Sequence, residues 1–369
     1  MTLTVPCLFG LESLVADEMR RLQLADVRAE NGRVHCRGTL ADIARLNINL
    51  RCGARVLLEL GSFPAPTFDA LFEGVRALAW EDYIPLDGEF PVKGYTLNSQ
   101  LHSVPACQAI VKKAAARRLG QAYGLETLPE SGSRYQIQFA IIKDRASLYL
   151  DTSGDGLYKR GYRARNMGAP LKETLAAALV TLSRYRGKDS FCDPFCGSGT
   201  IPIEAALIAK NRAPGLDRSF SAQRWKNMSS SLWLDAAQEA MDKEFHGQYD
   251  IWGGDIDPAA VELAQHNARL AGVEDCIRFE TADAGKFHRD SEYGQLVTNP
   301  PYGERLLEKK EAEALYRAFG AALQDLPPKW RVLVLSSHTE FERCFGRAAD
   351  KKRKLYNGMI KCDVFMYGK

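Results

Sequence analysis

The feature that most constrains the fold is an alternation of short apolar segments with longer helical segments between residues 190 and 337. Each apolar segment is too short to form a stable helix and is bounded by polar or turn-forming residues, which is typical of strands. The segments are SFCD, DIWGGD, IRFETAD, QLVTN and RVLVLSS, which begin at residues 190, 250, 277, 295 and 331. Strands separated by helices pair in parallel, so this pattern predicts an α/β fold with a Rossmann-like, doubly wound sheet.

The C-terminal segment KRKLYNGMIKCDVFMYG departs from this alternation. It contains two apolar stretches that are joined by Asn357 and Gly358, with no helical segment between them. Asn-Gly is the residue pair of a type I′ hairpin turn. We therefore expect an antiparallel hairpin at the end of the sheet.

Residues 1–150 mix strand-like and helix-like segments, which predicts a small α+β region. The longest helical segment, VPACQAIVKKAAARRLGQAYG, has Pro105 in its first turn and ends at Gly124. The segment YQIQFAIIKDRASLYLD alternates apolar and polar residues on one side of a turn and predicts a β-hairpin. The Ser, Gly and Asp residues at 151–156 predict a domain boundary.

The composition argues against a membrane protein, a secreted protein and a zinc-binding or disulfide-rich protein. Apolar residues make up 46% of the 369 residues, and no uncharged apolar run is long enough to cross a membrane. The N-terminus does not resemble a signal peptide, so we expect a cytoplasmic protein with no membrane partner. The nine cysteines form no C-x-x-C pair, so the sequence predicts neither a zinc site nor a disulfide framework.

Basic residues are clustered although the net charge is only +3. The three runs are Lys112, Lys113, Arg117 and Arg118; Lys159, Arg160, Arg163 and Arg165; and Lys351, Lys352, Arg353 and Lys354. Local basic runs near tyrosines favour a surface that binds nucleic acid.

The loop after the first predicted strand, DPFCGSGT, suits the close approach of a bound molecule. Gly197 and Gly199 carry no Cβ, and the helix that begins near Thr200 turns its free N–H groups toward the loop. A dinucleotide fingerprint requires glycine where this chain has Pro202, and no Gly-Lys-Ser/Thr sequence follows. The loop therefore predicts a ligand site that is neither of these two phosphate-binding types.

Two further strand ends carry acidic residues. Asp255 can accept two hydrogen bonds from a ribose diol, and Ile256 can pack on the face of an adenine. Asp257 and Pro258 predict the N-cap and first residue of a helix. Asp283 could accept from an adenine amine or, equally, cap a helix.

In chain order, these segments resemble the motifs of a known enzyme family. DPFCGSGT, GGDID, TADAG and TNPPYGERL are similar to the motifs of class I S-adenosylmethionine (SAM)-dependent methyltransferases of the N-P-P-Y type, which modify exocyclic amino nitrogens. The segment YKRGYRARNMGAPLKETLAAALV and the N-terminal α+β region resemble the THUMP-domain family of bacterial RNA methyltransferases. That family includes an enzyme that makes N2-methylguanosine in 23S ribosomal RNA.

The resemblance implies a ferredoxin-like subdomain over residues 1–44, a THUMP RNA-binding domain over 45–153 and a methyltransferase domain over 154–369. It implies SAM as the cofactor, S-adenosylhomocysteine as the product, and 23S rRNA or a ribosomal precursor as the partner. The implied cofactor-binding residues are Leu171, Lys172, Glu173, Thr174, Asp193, Phe195, Cys196, Gly197, Ser198, Gly199, Asp255, Ile256, Asp283, Ala284 and Asn299. The implied methyl-transfer residues are Asn299, Pro300, Pro301 and Tyr302. The first two basic runs would grip RNA phosphates.

The N-P-P-Y segment has a chemical rationale if an exocyclic amine is the target. The lone pair of such an amine is delocalised into the ring, so the nitrogen attacks poorly until it becomes more tetrahedral. The Asn299 side-chain oxygen and the Pro300 carbonyl could accept the two N–H groups and favour that geometry. Tyr302 offers a face on which an unstacked base can rest. This chemistry requires no metal and no base with a tuned pKa.

The main expectation is an RNA guanine-N2 methyltransferase, and several alternatives stay open. An N6-adenine methyltransferase acting on RNA or DNA fits the same segment, because its target amine is also exocyclic. A catalytically inactive RNA-binding protein is an alternative from another class, although every motif position is chemically intact. A nicotinamide-dependent oxidoreductase conflicts with Pro202, and a cytosine-C5 methyltransferase would need a cysteine near Asn299.

Overall fold

The computed structural model describes residues 1–163, 171–302 and 309–368. The described residues form two seven-stranded sheets, and the chain divides into two compact units. The first unit comprises Met1–Cys7, Ala16–Leu157 and Arg218–Glu239, and the second comprises Leu8–Val15, Tyr158–Asp217 and Ala240–Lys369. In this described part of the chain, we find no helix whose length and apolar character would let it span a bilayer.

The first unit is built on a mostly antiparallel sheet. Its strands are β1 (Thr2–Pro6), β2 (Ala25–Glu30), β3 (Arg33–Arg37), β4 (Leu57–Pro64), β5 (Val92–Leu97), β6 (Ile137–Ile142) and β7 (Arg145–Asp151), in the order β2-β3-β1-β4-β7-β6-β5. The helices in this part of the chain are α1 (Glu12–Arg21), α2 (Leu40–Asn49), α3 (Phe68–Arg76) and α4 (Val104–Tyr123). The predicted α+β character is confirmed. The predicted boundary between residues 44 and 45 falls within α2.

Local sequence signals account for the longest helix and for the second hairpin. The Ser103 side chain accepts from the Ala106 N–H at the start of α4, and Gly124 ends the helix with a φ of +67°. Lys143 and Asp144, between β6 and β7, both have positive φ, as a type I′ turn requires. Strand β2 is exposed along nearly its whole length, so its sequence lacks the apolar alternation that predicts a strand.

The second unit contains the predicted doubly wound sheet. Its strands are β8 (Ser190–Asp193), β9 (Ile251–Asp255), β10 (Ile277–Thr281), β11 (Tyr293–Thr298), β12 (Lys329–Ser336), β13 (Lys351–Asn357) and β14 (Ile360–Tyr367), in the order β10-β9-β8-β11-β12-β14-β13. The described helices after residue 172 are α5 (Glu173–Leu182), α6 (Thr200–Ala209), α7 (Ser230–Asp242), α8 (Pro258–Leu270), α9 (Lys309–Ala322) and α10 (Phe341–Phe345), of which α7 lies mostly in the first unit. Strands β8 to β12 pair in parallel, and β14 runs antiparallel to both of its neighbours. The predicted fold class is confirmed.

Buried aromatic residues pack helices α9 and α10 against this sheet. The Phe341 ring lies 5.1 Å from that of Phe345 and 4.6 Å from that of Phe365 on β14. Tyr316 of α9 contacts Phe341 with ring centroids 5.0 Å apart. Packed rings bury a large apolar area and restrict each other's orientation, so this cluster fixes α9 firmly on the sheet.

The C-terminal hairpin turns one residue later than the sequence predicts. Asn357 pairs with Ile360, so the two central residues of the turn are Gly358 and Met359. Of these two, only Gly358 has a positive φ, +64°. Glycine at the first central position is what a type II′ turn requires. The predicted hairpin is confirmed, but the type I′ turn at Asn357 and Gly358 is wrong.

Residues 218–239 belong to the first unit, although they follow strand β8 of the second in the sequence. The Trp225 ring stacks on Tyr135 at 5.0 Å, and its indole N–H donates to the Arg134 carbonyl at 3.0 Å. Trp233 is also buried. This segment therefore completes the core of the N-terminal unit.

Candidate active site

Four loops meet at the carboxyl edge of the second sheet. Strands β10, β9, β8 and β11 are neighbours in the sheet in this order, and each runs parallel to the next. The carboxyl ends of parallel strands share one edge, so the loops that follow these strands are neighbours there. Strand β8 lies between β9 and β11, which makes its loop the centre of the group.

The glycine loop after β8 is shaped by its backbone conformation. Gly197 and Gly199 have φ values of +51° and +81°, which other residues adopt only with strain. A Cβ on Gly197 would meet no atom of the described residues within 4 Å, whereas a Cβ on Gly199 would lie 2.9 Å from the Cβ of Ala264. Gly197 therefore faces open space suited to a ligand, and Gly199 allows the loop to pack closely on α8.

Backbone hydrogen bonds connect the glycine loop to the end of β9. The Cys196 N–H donates to the Gly254 carbonyl at 2.9 Å. The Gly197 N–H donates to the Asp255 carboxylate, also at 2.9 Å. These bonds hold the glycine loop and the acidic strand end in a fixed relation.

Sequence analysis missed a third anchor of the loop, Asn267. This side chain of α8 is fully buried and donates to the Ser198 carbonyl at 2.9 Å. Its oxygen has no hydrogen-bond partner among the described residues. The available signal was a polar residue on the otherwise apolar inner face of a helix, where a buried amide needs a specific partner.

The N-terminus of helix α6 lies directly after this loop. Gly199 is its N-cap residue, and no described side chain caps its first turn. The N–H groups of Thr200 and Ile201 lack intrahelical partners, because the first residues of any helix do. The positive end of the helix dipole is thus turned toward the glycine loop, where it favours an anionic group.

The end of β9 combines an anchored carboxylate with an exposed apolar side chain. Asp255 accepts from the Asp257 N–H at 3.0 Å in addition to the Gly197 N–H. Ile256 is 73% exposed, so its apolar side chain is available to a ligand. Asp257 accepts from the Ala259 N–H at 2.9 Å and caps α8, as the sequence predicts.

Asp283 follows β10 and begins a short 3₁₀ turn, Ala284–Lys286. Its carboxylate accepts from the Gly285 N–H at 2.9 Å, so the capping interpretation is confirmed. The residue is exposed and keeps a second oxygen for a ligand. Ala284 is buried, which limits its predicted cofactor contact mainly to backbone atoms.

The loops after β8 and β11 are bonded directly to each other. The Thr298 hydroxyl donates to Oδ1 of Asp193 at 2.6 Å, and the Phe195 N–H donates to the same oxygen at 3.1 Å. Asp193 is buried, and this burial raises the pKa of its carboxyl group to about 7, although both hydrogen bonds act to lower it. Thr298 was not among the predicted site residues, yet it joins the two loops.

Two predicted cofactor contacts have side chains that point into the protein. The half-buried Phe195 ring packs edge-on against Phe319, with centroids 5.1 Å apart. Cys196 is buried, and burial raises the pKa of its thiol well above the ordinary value. These side chains support the loop from below, so a ligand would mainly meet their backbone atoms.

The N-P-P-Y segment is held by the core on which it lies. The Tyr302 hydroxyl donates to Oδ1 of Asn299, and the Cys362 thiol lies 3.8 Å from that hydroxyl. The Tyr316 hydroxyl of α9 donates to the Pro301 carbonyl at 2.5 Å. Burial raises the pKa of Tyr302, and Cys362 raises it further, so its hydroxyl remains a donor at neutral pH. A hydrogen bond with Asn357 opposes this rise. The segment is therefore fixed before any substrate arrives.

The segment Leu171–Thr174 forms the start of helix α5, with Lys172 as its N-cap residue. Glu173 is buried, which raises the pKa of its carboxyl group, and it pairs with Arg163 at 3.4 Å. Arg163 also donates to the Leu171 carbonyl at 3.2 Å and to the Thr200 hydroxyl at 2.7 Å. Arg163 thus connects the start of α5 to the start of α6.

Two members of the second basic run are poorly placed for the predicted phosphate contact. Arg160 is buried, and its Nε lies 3.3 Å from the Glu204 carboxylate, to which the Tyr162 hydroxyl also donates. Arg163 is mostly buried and engaged as described above. A guanidinium enclosed with its counter-ion cannot reach an RNA backbone. Lys159 is exposed, and Arg165 lies outside the described residues.

The first basic run, on helix α4, is also partly neutralised. Lys112 lies 2.6 Å from the Glu130 carboxylate and 3.4 Å from the centre of the Phe90 ring. Arg118 is paired with Glu81. Lys113 and Arg117, one helical turn apart, are exposed and form no ion pair within the described part of the chain. These two cations are the better candidates for phosphate contacts.

The described residues hold no metal-binding cluster, and their cysteines are mostly buried. Within residues 1–163, 171–302 and 309–368, no group of three or more His, Cys, Asp or Glu side chains could hold a metal ion. Eight of the nine cysteines are buried, and Cys7 is half-buried. The thiols are therefore mostly small core side chains.

Three family models match the chain. An RMKL-like methyltransferase domain matches residues 160–365, which is more than half of the sequence. An RlmL ferredoxin-like domain matches residues 2–57, and a THUMP domain matches residues 65–151. The matches follow one another along the chain without overlap.

Individual relatives extend the similarity over nearly the whole chain. The Bacillus subtilis protein named "Putative RNA methyltransferase YpsC" is 44% identical, over 99% of this chain and 95% of the relative. The ribosomal RNA large subunit methyltransferase K/L of Syntrophotalea carbinolica is 34% identical over 97% of this chain, which spans only 52% of that protein.

The chain is also similar to a solved structure that contains a bound ligand. The crystal structure of SMU.472, which is complexed with S-adenosylhomocysteine, shares 41% identity and has a TM-score of 0.93, covering 100% of this chain and 98% of that one. A glycine loop with open space at Gly197, an uncapped helix N-terminus and an acidic strand end fit the same kind of ligand. This chain therefore belongs to the RMKL-like methyltransferases and uses SAM as its cofactor.

Proposed function

We propose that this chain transfers a methyl group from SAM to the exocyclic N2 amine of a guanosine in RNA, specifically in 23S ribosomal RNA or a ribosomal precursor. The THUMP match and the names of both curated relatives support RNA as the substrate. The name of the K/L relative supports large-subunit ribosomal RNA in particular, although this chain spans about half of that protein. A cytoplasmic location accords with such a substrate and stays a prediction.

The observation that carries the proposal is the position of Asn299 beside the glycine loop. Strand β11 is a direct neighbour of β8, and the 2.6 Å bond from Thr298 to Asp193 joins their ends. Asn299 is therefore one residue away from a side chain that is bonded to the start of the loop. A ligand on the loop would have Asp255 on one side and Asn299 on the other.

The residues of the loop fit SAM. The open face of Gly197 leaves room for a ligand against the backbone, and the start of α6 presents N–H groups to a carboxylate. Asp255 accepts one N–H on each oxygen and keeps further lone pairs for ribose hydroxyls. Asp283 and Ile256 would meet the adenine. When bound, SAM supplies an electrophilic methyl group at a sulfonium centre.

Asn299 would prepare the target amine for attack. Its side-chain oxygen accepts from Tyr302, which fixes the orientation of the amide, and a second lone pair remains for an N–H of the target. The Pro300 carbonyl can accept the other N–H, and neither proline brings a competing donor. Two acceptors in these positions favour a tetrahedral nitrogen with its lone pair directed at the methyl carbon. The methylated nitrogen then releases a proton to water.

Other residues would position the RNA. The half-exposed Tyr302 ring can support the target base once it has left its stack. Lys113 and Arg117 would contact phosphates and so position the RNA without reading its sequence. The exposed Lys159 would contribute in the same way.

The test is methylation, by the purified protein, of ribosomal RNA from a strain that lacks the gene. Asn299→Ala is expected to lower kcat by roughly 10² or more, because one oriented acceptor is lost, with the Kd for SAM little changed. Tyr302→Phe is the matched control: it removes the hydroxyl bonded to Asn299 and keeps the amide. We expect a loss of less than about tenfold for this variant. Equal losses in the two variants would show that Asn299 holds the loop rather than the amine.

The modified nucleoside decides between guanine and adenine. Mass spectrometry of the digested RNA is expected to show N2-methylguanosine. N6-methyladenosine in its place would establish the adenine alternative. Tight binding of SAM and RNA without any methylated nucleoside would instead identify an inactive RNA-binding protein.

A further inference from the structure

The tip of the β13–β14 hairpin presents an apolar side chain almost entirely to solvent. Met359 is 98% exposed, and it occupies the second position of a tight two-residue turn. Tyr356, one pair below the turn, is 37% exposed. A methionine on a mobile loop could fold back onto the surface, but the short turn between two paired strands holds this one outward.

The hairpin tip lies beside the N-P-P-Y segment. Cys362 of β14 contacts the Tyr302 hydroxyl at 3.8 Å, and Cys362 is paired across the hairpin with Leu355. The next cross-strand pair toward the turn, Tyr356 with Lys361, points to the opposite face of the hairpin, because side chains alternate along a strand. Met359, in the turn itself, is three residues from Cys362, so an RNA strand that leaves the reaction centre would pass over this tip to reach Tyr356 and Lys361.

The hairpin is strongly basic. Residues 351–367 contain five basic residues and one acidic residue. Lys352 pairs with Glu342 at 2.7 Å, and Arg353 donates to the Gly10 carbonyl at the same distance, so these two have intramolecular roles. Lys354 and Lys361 are exposed and form no ion pair within the described residues.

Protection of a sheet edge explains the exposed lysines of the hairpin but not the exposed methionine. Strand β13 is the edge of its sheet, and exposed lysines on an edge strand discourage pairing with other chains. Met359 has the opposite effect, because it exposes apolar area at the end of that edge. An apolar tip flanked by free cations beside an amine-methylating loop matches an RNA strand, which offers base faces and phosphates together.

We propose that Tyr356, Met359 and Lys361 bind the nucleotide adjacent to the methylated base. The side chains of Tyr356 and Met359 pack on the neighbouring base, and Lys361 contacts its phosphate. This inference rests on the proposed function and adds the surface that holds the RNA next to the reaction centre. The surface is distinct from the N-terminal THUMP region and from the residues that bind SAM.

The test compares Tyr356→Ala/Met359→Ala with Met241→Ala, which removes a 46% exposed methionine from α7. Loss of base packing is expected to raise the KM for RNA by about tenfold or more in the double variant. The Kd for SAM should stay unchanged, and the melting temperature should fall only slightly, because Met359 is 98% and Tyr356 37% exposed. Met241→Ala should match the unmodified protein in every assay. Lys361→Ala should lower the salt dependence of RNA binding by about one phosphate contact.

Crosslinking of RNA that carries 4-thiouridine next to the target nucleotide gives a second readout. Peptides containing residues 356–361 are expected among the crosslinked products. If the double variant is active with an unchanged KM for RNA, or if the crosslinks avoid the hairpin, this inference is overturned and the proposed function is not. Failure of the unmodified protein to methylate any RNA would overturn the proposed function, and this inference with it.

Discussion

Replacing Gly197 with alanine should weaken SAM binding at little cost in stability, whereas the same change at Gly199 should mainly destabilise the fold. Both residues have positive φ, so an alanine at either position carries a strain of about 1 kcal/mol. At Gly197 we expect no further cost, because none of the residues that the structure describes lies within 4 Å of the added carbon. That carbon would instead project into the space assigned to the ligand.

Gly199 differs because the added carbon would meet the protein. It would lie 2.9 Å from the Cβ and 3.2 Å from the Cα of Ala264, so α8 would have to move. Overpacking of this kind adds about 1–3 kcal/mol, which gives about 2–4 kcal/mol in all. Gly272→Ala is the matched control. Gly272 follows α8 and has a φ of +66°, and a Cβ there would meet no atom within 4 Å in the described part of the chain.

Thermal unfolding and isothermal titration with SAM measure the two effects separately. Gly197→Ala and Gly272→Ala should lose similar, small amounts of stability, but only Gly197→Ala should bind SAM at least about tenfold more weakly, the equivalent of 1.4 kcal/mol. If Gly197→Ala bound SAM as tightly as the unmodified protein, the open space at this glycine would not be the cofactor site. The assignment of the glycine loop would then fail.

Two further predictions concern buried charge. The folded-state pKa of about 7 for Asp193 lies above the ordinary value of 3.8, so the folded protein holds a proton that the unfolded chain releases. The contribution of this group to stability is therefore fully present below about pH 4 and is lost, by up to about 4 kcal/mol, as the pH rises toward 7. Asp193→Asn keeps an oxygen for Thr298, so its denaturant midpoint should show less of this fall, and an equally steep pH profile would contradict the shift. Arg160→Met should cost about 3–5 kcal/mol by leaving the buried Glu204 unpaired, and adding Glu204→Leu should recover most of it. Loss of RNA affinity in that stable double variant would restore the phosphate role of Arg160.

The sequence is sufficient to predict the second sheet because its strands and loops carry local signals. Strands β8 to β11 are short apolar runs, and each is followed by a glycine, acidic or N-P-P-Y loop. Gly197 has a positive φ, which glycine adopts without strain, so the residue type alone is enough to predict this loop conformation. Adjacency of the loops then follows from the rule that parallel strands end at one edge.

The remaining site features depend on tertiary contacts that no local pattern encodes. Arg160 looks like the exposed Lys159 in the sequence, yet its partner Glu204 is 44 residues away on α6. Asn267 and Thr298 become part of the site through bonds to residues 198 and 193. The observed hairpin register differs by one residue from the predicted register, because Gly358 occupies the first central position of the turn and not the second.

The two bonds that hold the N-P-P-Y segment have a consequence for how this sequence can vary. Thr298 ties the segment to Asp193 at one end, and Tyr316 ties it to α9 at the other. Neither side chain needs to touch RNA or cofactor, yet under the proposed function a substitution at either one would displace the groups that we assign to methyl transfer. Selection on turnover would then extend into the hydrophobic interior, to residues that otherwise only pack.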